Sequence, residues 1–184
     1  MTKPIVSTAL MMLYQDGLFQ LNDPLSKFIP EFSNLRVLRS PNGPLNETVE
    51  MEQEPTVQDI LRHTAGFSHG LGNSEYDKAF VGTGIFRPET SLAEMMTALS
   101  TIPLMNQPGS MYRYSIGPDV ALRLVEIISG MSADDYLQQR MFDPLGMDDT
   151  GYVVDSDNVH RLSPIHWNND GQLAPIDSEH GSPA

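Results

Sequence analysis

Lys3, in the opening Met1-Thr2-Lys3-Pro4, stands at the head of an apolar, helix-forming stretch over residues 5–16. A lysine at such a helix start is what a Ser-x-x-Lys constellation uses as the proton partner of its serine nucleophile. The position three before Lys3 lies ahead of Met1. The residues three before the other two lysines, Lys27 and Lys78, are Pro24 and Glu75, so the motif occurs nowhere inside the 184 residues. The expectation is acyl-transfer chemistry whose nucleophilic serine would precede Met1.

A second pattern with the right letters is Gly66-Phe67-Ser68-His69-Gly70, a formal Gly-x-Ser-x-Gly. In a nucleophile elbow the serine is strained at a strand-to-helix turn that exposes its oxygen above a sheet. Here residues 57–63 are polar and helix-patterned, and 72–77 begin no convincing helix. The expected element is a glycine-rich loop after a helix, which makes Ser68 the lesser candidate. The five histidines, His63, His69, His160, His166 and His180, show no His-Glu-x-x-His or similar ligand spacing, so structural roles and no metal site are expected. His63 falls at a helix end, where a cation or a side-chain hydrogen bond suits the last carbonyls.

Tyr112-Arg113-Tyr114-Ser115 lies in an extended segment just before an apolar helix. On pattern alone it is an aromatic edge packed on that helix. Pairing with Lys3 is what lifts Tyr114: a phenol near an ammonium has its ionised form favoured, so it can accept a nucleophile's proton and return it to a leaving group.

The elements that must carry these residues follow from spacing. Residues 5–16 read as a helix with Ile5, Ala9, Met12 and Leu13 on one face and Gly17 as its stop. Asp23-Pro24 starts a short helix, residues 35–39 form a short strand, 41–44 a turn, and 46–55 a polar loop. Thr56 caps a helix ending near His63. Residues 66–88 are expected to be irregular. Ser91-x-x-Glu94 is a capping box for a helix to about Ser100, and 112–115 are extended. Residues 119–129 form a helix with Val120, Leu124, Ile127 and Ile128 on its apolar face, ended by Gly130. Ser132-x-x-Asp135 caps a further helix to Met141. Residues 162–167 and 172–176 flank Asn169-Asp170-Gly171 as a hairpin, and 178–184 read as a chain stopped mid-loop. Helices dominate this pattern.

Composition excludes several classes. The net charge of −13 leaves no basic patch for a phosphate backbone, so no nucleic-acid partner is expected. No apolar run approaches a membrane span and no signal peptide is visible, while the compartment stays open. With no cysteine there is no disulfide, thiolate metal site or Cys nucleophile. The eleven methionines, mostly at helical spacing, read as core filler.

Five blocks in order then meet one family: Met1-Thr2-Lys3-Pro4-Ile5-Val6, residues 21–30 (LNDPLSKFIP), residues 56–67 (TVQDILRHTAGF), residues 112–119, and Phe142-Asp143-Pro144-Leu145-Gly146-Met147. Together they resemble the β-lactamase-related serine hydrolases, the group of class C β-lactamases, DD-peptidases and family VIII carboxylesterases. The resemblance implies an α+β, β-lactamase/transpeptidase-like fold. The chain would be a helix-rich central fragment of it, one partial domain over residues 1–184, lacking most strands of the antiparallel sheet.

It further implies that Met1-Thr2-Lys3 matches the last three positions of Ser-x-x-Lys, with Lys3 one helical turn from the absent serine. Tyr114 matches the tyrosine of Tyr-x-Asn, the general base. Ile116 stands where the family's Asn helps β-lactamases hold a substrate amide, which points to the esterase branch. A third element, Lys-Thr-Gly or His-x-Gly on a strand, is not matched, and His180-Gly181-Ser182 comes too early for it. The expected activity is cleavage of a small-molecule ester or amide through an acyl-enzyme, without a cofactor, and the chain as given would be inactive. A penicillin-interacting enzyme and a non-catalytic binding module of the same fold are the alternatives.

Overall fold

The computed structural model describes residues 2–164 and 166–175. Met1, Ile176 at the end of the expected hairpin, the 178–184 stretch and His180 with it lie outside the described residues. Two compact units divide the chain, residues 1–137 and 138–184. The architecture is α+β and helix-rich, with two two-stranded antiparallel sheets among the described residues.

In the first unit, helix α1 (Thr2–Gln15) buries Val6, Ala9, Leu10 and Leu13, an i, i+3, i+4, i+7 stripe. The expected face is therefore rotated: Ala9 and Leu13 are inside, while Ile5 and Met12 are half-buried. Gly17 ends the helix as expected, and Phe19 returns to the core against the Tyr14 ring, 5.6 Å away. The short helix expected at Asp23-Pro24 is a 3-10 turn, Leu25–Lys27, followed by a second at Pro30–Asn34. Pro30 biases Ile29 away from the helical region, so neither turn lengthens. The Asp23 carboxylate steadies the first turn, accepting from Gln20 N–H at 2.8 Å and pairing with Lys27 at 2.7 Å.

Strand β1 (Arg36–Leu38) forms where a strand is expected, but residues 46–55 are not all loop. They supply β2 (Thr48–Glu50), antiparallel to β1 with Val37 opposite Val49. Burial of Val37 and Leu38 drives that pairing, which the polar partner's own pattern does not announce.

Helix α2 (Val57–Leu61) starts at Thr56 with a reciprocal capping box: Thr56 Oγ1 accepts from Asp59 N–H, and Asp59 accepts from Thr56 N–H. The segment expected to be irregular holds α3 (Glu75–Gly82), opened by the same device between Ser74 and Asp77. Helix α4 (Leu92–Ser100) has the expected bounds and cap. Helix α5 (Gly117–Ser129) begins two residues before its expected start, with Pro118 in its first turn. It is the centre of the unit, in contact with α1, α2, α4 and α6 (Ala133–Leu137). Because its neighbours approach from several sides, Ala121, Leu122 and Val125 are buried beside Val120 and Leu124, while Ile127 and Ile128 are only half-buried.

The helix expected to reach Met141 changes character: α6 stops at Leu137 and a π-helical turn, Gln138–Phe142, opens the second unit. There α7 (Asp143–Leu145) ends at Gly146, and a 3-10 turn, Ser156–Arg161, carries the Arg161–Asp149 ion pair. Strands β3 (His166–Asn169) and β4 (Gln172–Pro175) form the expected hairpin. Positive φ at both Asp170 and Gly171 makes its turn the type whose twist matches paired strands.

Candidate active site

Lys3 projects from the exposed first turn of α1, and Tyr114 sits on the irregular 110–116 segment that leads into α5. Because α1 lies along α5, the two side chains meet: Lys3 Nζ is 4.9 Å from the centroid of the Tyr114 ring. An ammonium over a tyrosine face is attracted by the ring quadrupole, which favours this approach. Both residues line a pocket of about 300 Å³. Leu71, Phe86, Ile116 and Pro118 give it apolar walls, and His69 and Asp119 add polar ones.

The loops behind the pocket are fixed by backbone bonds. Ile116 N–H donates to Ser68 O at 3.1 Å and Met105 N–H to Gly66 O at 2.8 Å. Ile116 itself is buried and presents a hydrocarbon wall to the pocket. Arg113 Nε donates to Asn106 Oδ1 at 2.6 Å, tying the Tyr114 segment to the 104–106 stretch.

Burial pushes the His63 imidazole below its ordinary value of 6.5, and the Lys3 ammonium pushes it the same way. Asp119 moves oppositely: burial raises its carboxyl above the usual range, although a backbone hydrogen bond and Lys3 pull it down. Asp119 stands in the sequence only as the first residue of the helix expected over 119–129; its place near Lys3 depends on how α1 and α5 pack.

Ser68 is placed differently. Its side chain is buried, 5% exposed, and Oγ accepts from Gly70 N–H at 3.4 Å. The preceding element is helix α2, and the next helix begins only at Glu75. The motif's glycines have another reason to be there. Gly66 (φ 88°) abuts the Asn106 carbonyl, and a Cβ on Gly70 (φ 65°) would stand 2.5 Å from the Phe80 ring. The sequence pattern marks a tightly packed turn, and Ser68 is not among the residues that line the pocket.

A wider depression of about 530 Å³, bordered by residues 33–36 and 50–54, shares no lining residue with this pocket. Its Arg36 and Glu50 pair with each other at 3.5 Å, and the Lys3–Tyr114 pocket, though smaller, is the one where a cation and a phenol converge. Among the described residues no group of three or more His, Asp or Glu side chains could hold a metal ion, and no helix is long and apolar enough to cross a membrane.

The helix-rich α+β frame and its sequence are those of a known class. The chain belongs to the Beta-lactamase family, whose model matches residues 1–183. Protein Rv1367c of Mycobacterium tuberculosis is 33% identical over 171 residues, covering 90% of this chain and 41% of that protein. Esterase EstB of Burkholderia gladioli is 32% identical over 179 residues, 95% of this chain and 42% of the esterase. The solved structure of EstCE1, described as a hydrolase with promiscuous acyltransferase activity, superposes with a TM-score of 0.76 at 24% identity, over 95% of this chain and 43% of that one. That last likeness shows the β-lactamase/transpeptidase-like fold. The chain thus spans less than half the length of the relatives it matches.

Proposed function

We propose that this chain supplies the proton-relay side of a serine esterase site. A serine one helical turn ahead of Lys3 attacks the ester carbonyl. Its hydroxyl proton passes through Lys3 and Tyr114 to the leaving alcohol as the carbon–oxygen bond breaks. Water then adds to the acyl-enzyme, the same pair takes its proton and returns it to the serine oxygen as the acyl–oxygen bond breaks, and the carboxylic acid leaves. The observation that carries this reading is the approach of Lys3 Nζ to the Tyr114 ring at the mouth of one pocket.

Ile116 supports an ester over a β-lactam or peptide, because its hydrocarbon side chain cannot hydrogen-bond a substrate amide at that point of the pocket. The likeness to esterase EstB points the same way. Within the 184 residues the relay has no serine to serve, so the chain is expected to hydrolyse p-nitrophenyl butyrate no faster than buffer. Turnover abolished by Ser68→Ala would overturn the assignment. With a serine joined directly ahead of Met1, the chain is expected to react with a fluorophosphonate. Lys3→Met and Tyr114→Phe should each slow that reaction by about a hundredfold or more.

A further inference from the structure

His63 is the residue around which the Tyr114 segment is built. It follows α2 in the left-handed conformation (φ 56°), which a non-glycine residue adopts only where its surroundings demand it. The backbone there turns so that both its carbonyl and its ring face residues 112–115. His63 O accepts from Arg113 N–H at 2.7 Å. Nδ1 accepts from Ser115 N–H at 3.3 Å and lies 3.2 Å from Ser115 Oγ. The ring stands against the Tyr114 ring, centroids 5.0 Å apart, and meets Tyr112 edge-on at 5.9 Å.

Both neighbours of Tyr114 are therefore bonded to His63, and Tyr114 itself rests on the imidazole. A backbone N–H can only donate, so Nδ1 is the acceptor and the ring's proton sits on Nε2. The start of α5 closes the arrangement from behind. A Cβ on Gly117 would stand 2.6 Å from Ile60 O and 3.5 Å from His63 Nδ1. Gly117 N–H also donates to Ser115 Oγ at 3.3 Å, which leaves that hydroxyl's proton free to point at Nδ1.

We propose that His63 is the positioning residue of Tyr114, holding the phenol at the Lys3 pocket through the two residues beside it and through its own ring. This rests on the reading of Tyr114 as proton relay. His63 acts through Tyr114 and takes no proton itself. A relay group must be held close to its working geometry, and a displacement of about 1 Å can cost on the order of a hundredfold in rate.

The test compares the isotope-labelled chain with His63→Asn and Ser115→Ala. Asparagine tolerates the left-handed conformation and offers an oxygen to Ser115 N–H, but it has no ring. Near neutral pH the wild-type His63 nitrogens are expected to show a bare Nδ1 and a protonated Nε2. His63→Asn should reduce the ring-current displacement of the Tyr114 ring protons, leaving the part that the His69 ring, 5.6 Å away, supplies. In the chain with a serine joined ahead of Met1, it should also slow fluorophosphonate reaction about a hundredfold, with no further slowing in a Tyr114→Phe background. If the asparagine variant fails to fold, Ser115→Ala is expected to shift the same Tyr114 signals. Unmoved Tyr114 signals in the folded variant, with only a lower melting temperature, would overturn the proposal. If Tyr114→Phe alone leaves the reaction rate unchanged, the relay reading fails instead, and the ring signals still decide whether His63 places Tyr114.

Discussion

Lys3 is useful to a nucleophile only if something can exchange protons with it, and Tyr114 is the phenol that α1 and α5 bring to it. His63, beneath Tyr114, has a pH dependence of its own. The groups around its ring are the Lys3 ammonium and the phenols of Tyr112 and Tyr114. Since its folded-state value is lowered, the unfolded chain binds the proton more readily, and stability rises with pH across the window. The contribution is complete above about 6.5 and is lost as pH falls through the depressed folded value. Wild type is expected to lose melting temperature between neutral and mildly acidic pH more steeply than His63→Asn, as followed by circular dichroism. Lys3 could be picked out in the sequence because its spacing to a serine position is local. The role of His63 could not, since it joins residues on either side of two intervening helices.

The elements that carry the site are set largely by local hydrogen bonds. Ser91 and Glu94 cap α4 reciprocally, and the helix runs as its sequence predicts. Ser91→Ala is expected to cost about 1 kcal/mol, read as a lowered urea midpoint. Gly66→Ala should cost more, because a methyl there meets the Asn106 carbonyl in a conformation that already disfavours it. The same capping logic could have found α3, whose Ser74 and Asp77 form the equivalent box; the surrounding glycines hid it. Strand β2 was beyond reach for a different reason. Three residues with one apolar side chain become a strand only because β1 lies beside them.

At the scale of the molecule, 24 acidic against 11 basic side chains give the net charge of −13. Like charges repel in the compact state, so raising ionic strength from low salt to about 0.15 M is expected to raise the melting temperature. The first unit holds the complete Lys3–Tyr114–His63 arrangement, with α5 as the common support of the Tyr114 segment and of α1. The most direct test of that arrangement is where a fluorophosphonate attaches when a serine is joined directly ahead of Met1, mapped by peptide mass spectrometry. The adduct is expected on that serine and should be lost in Lys3→Met. An adduct on Ser68 that persists in Lys3→Met would contradict the account.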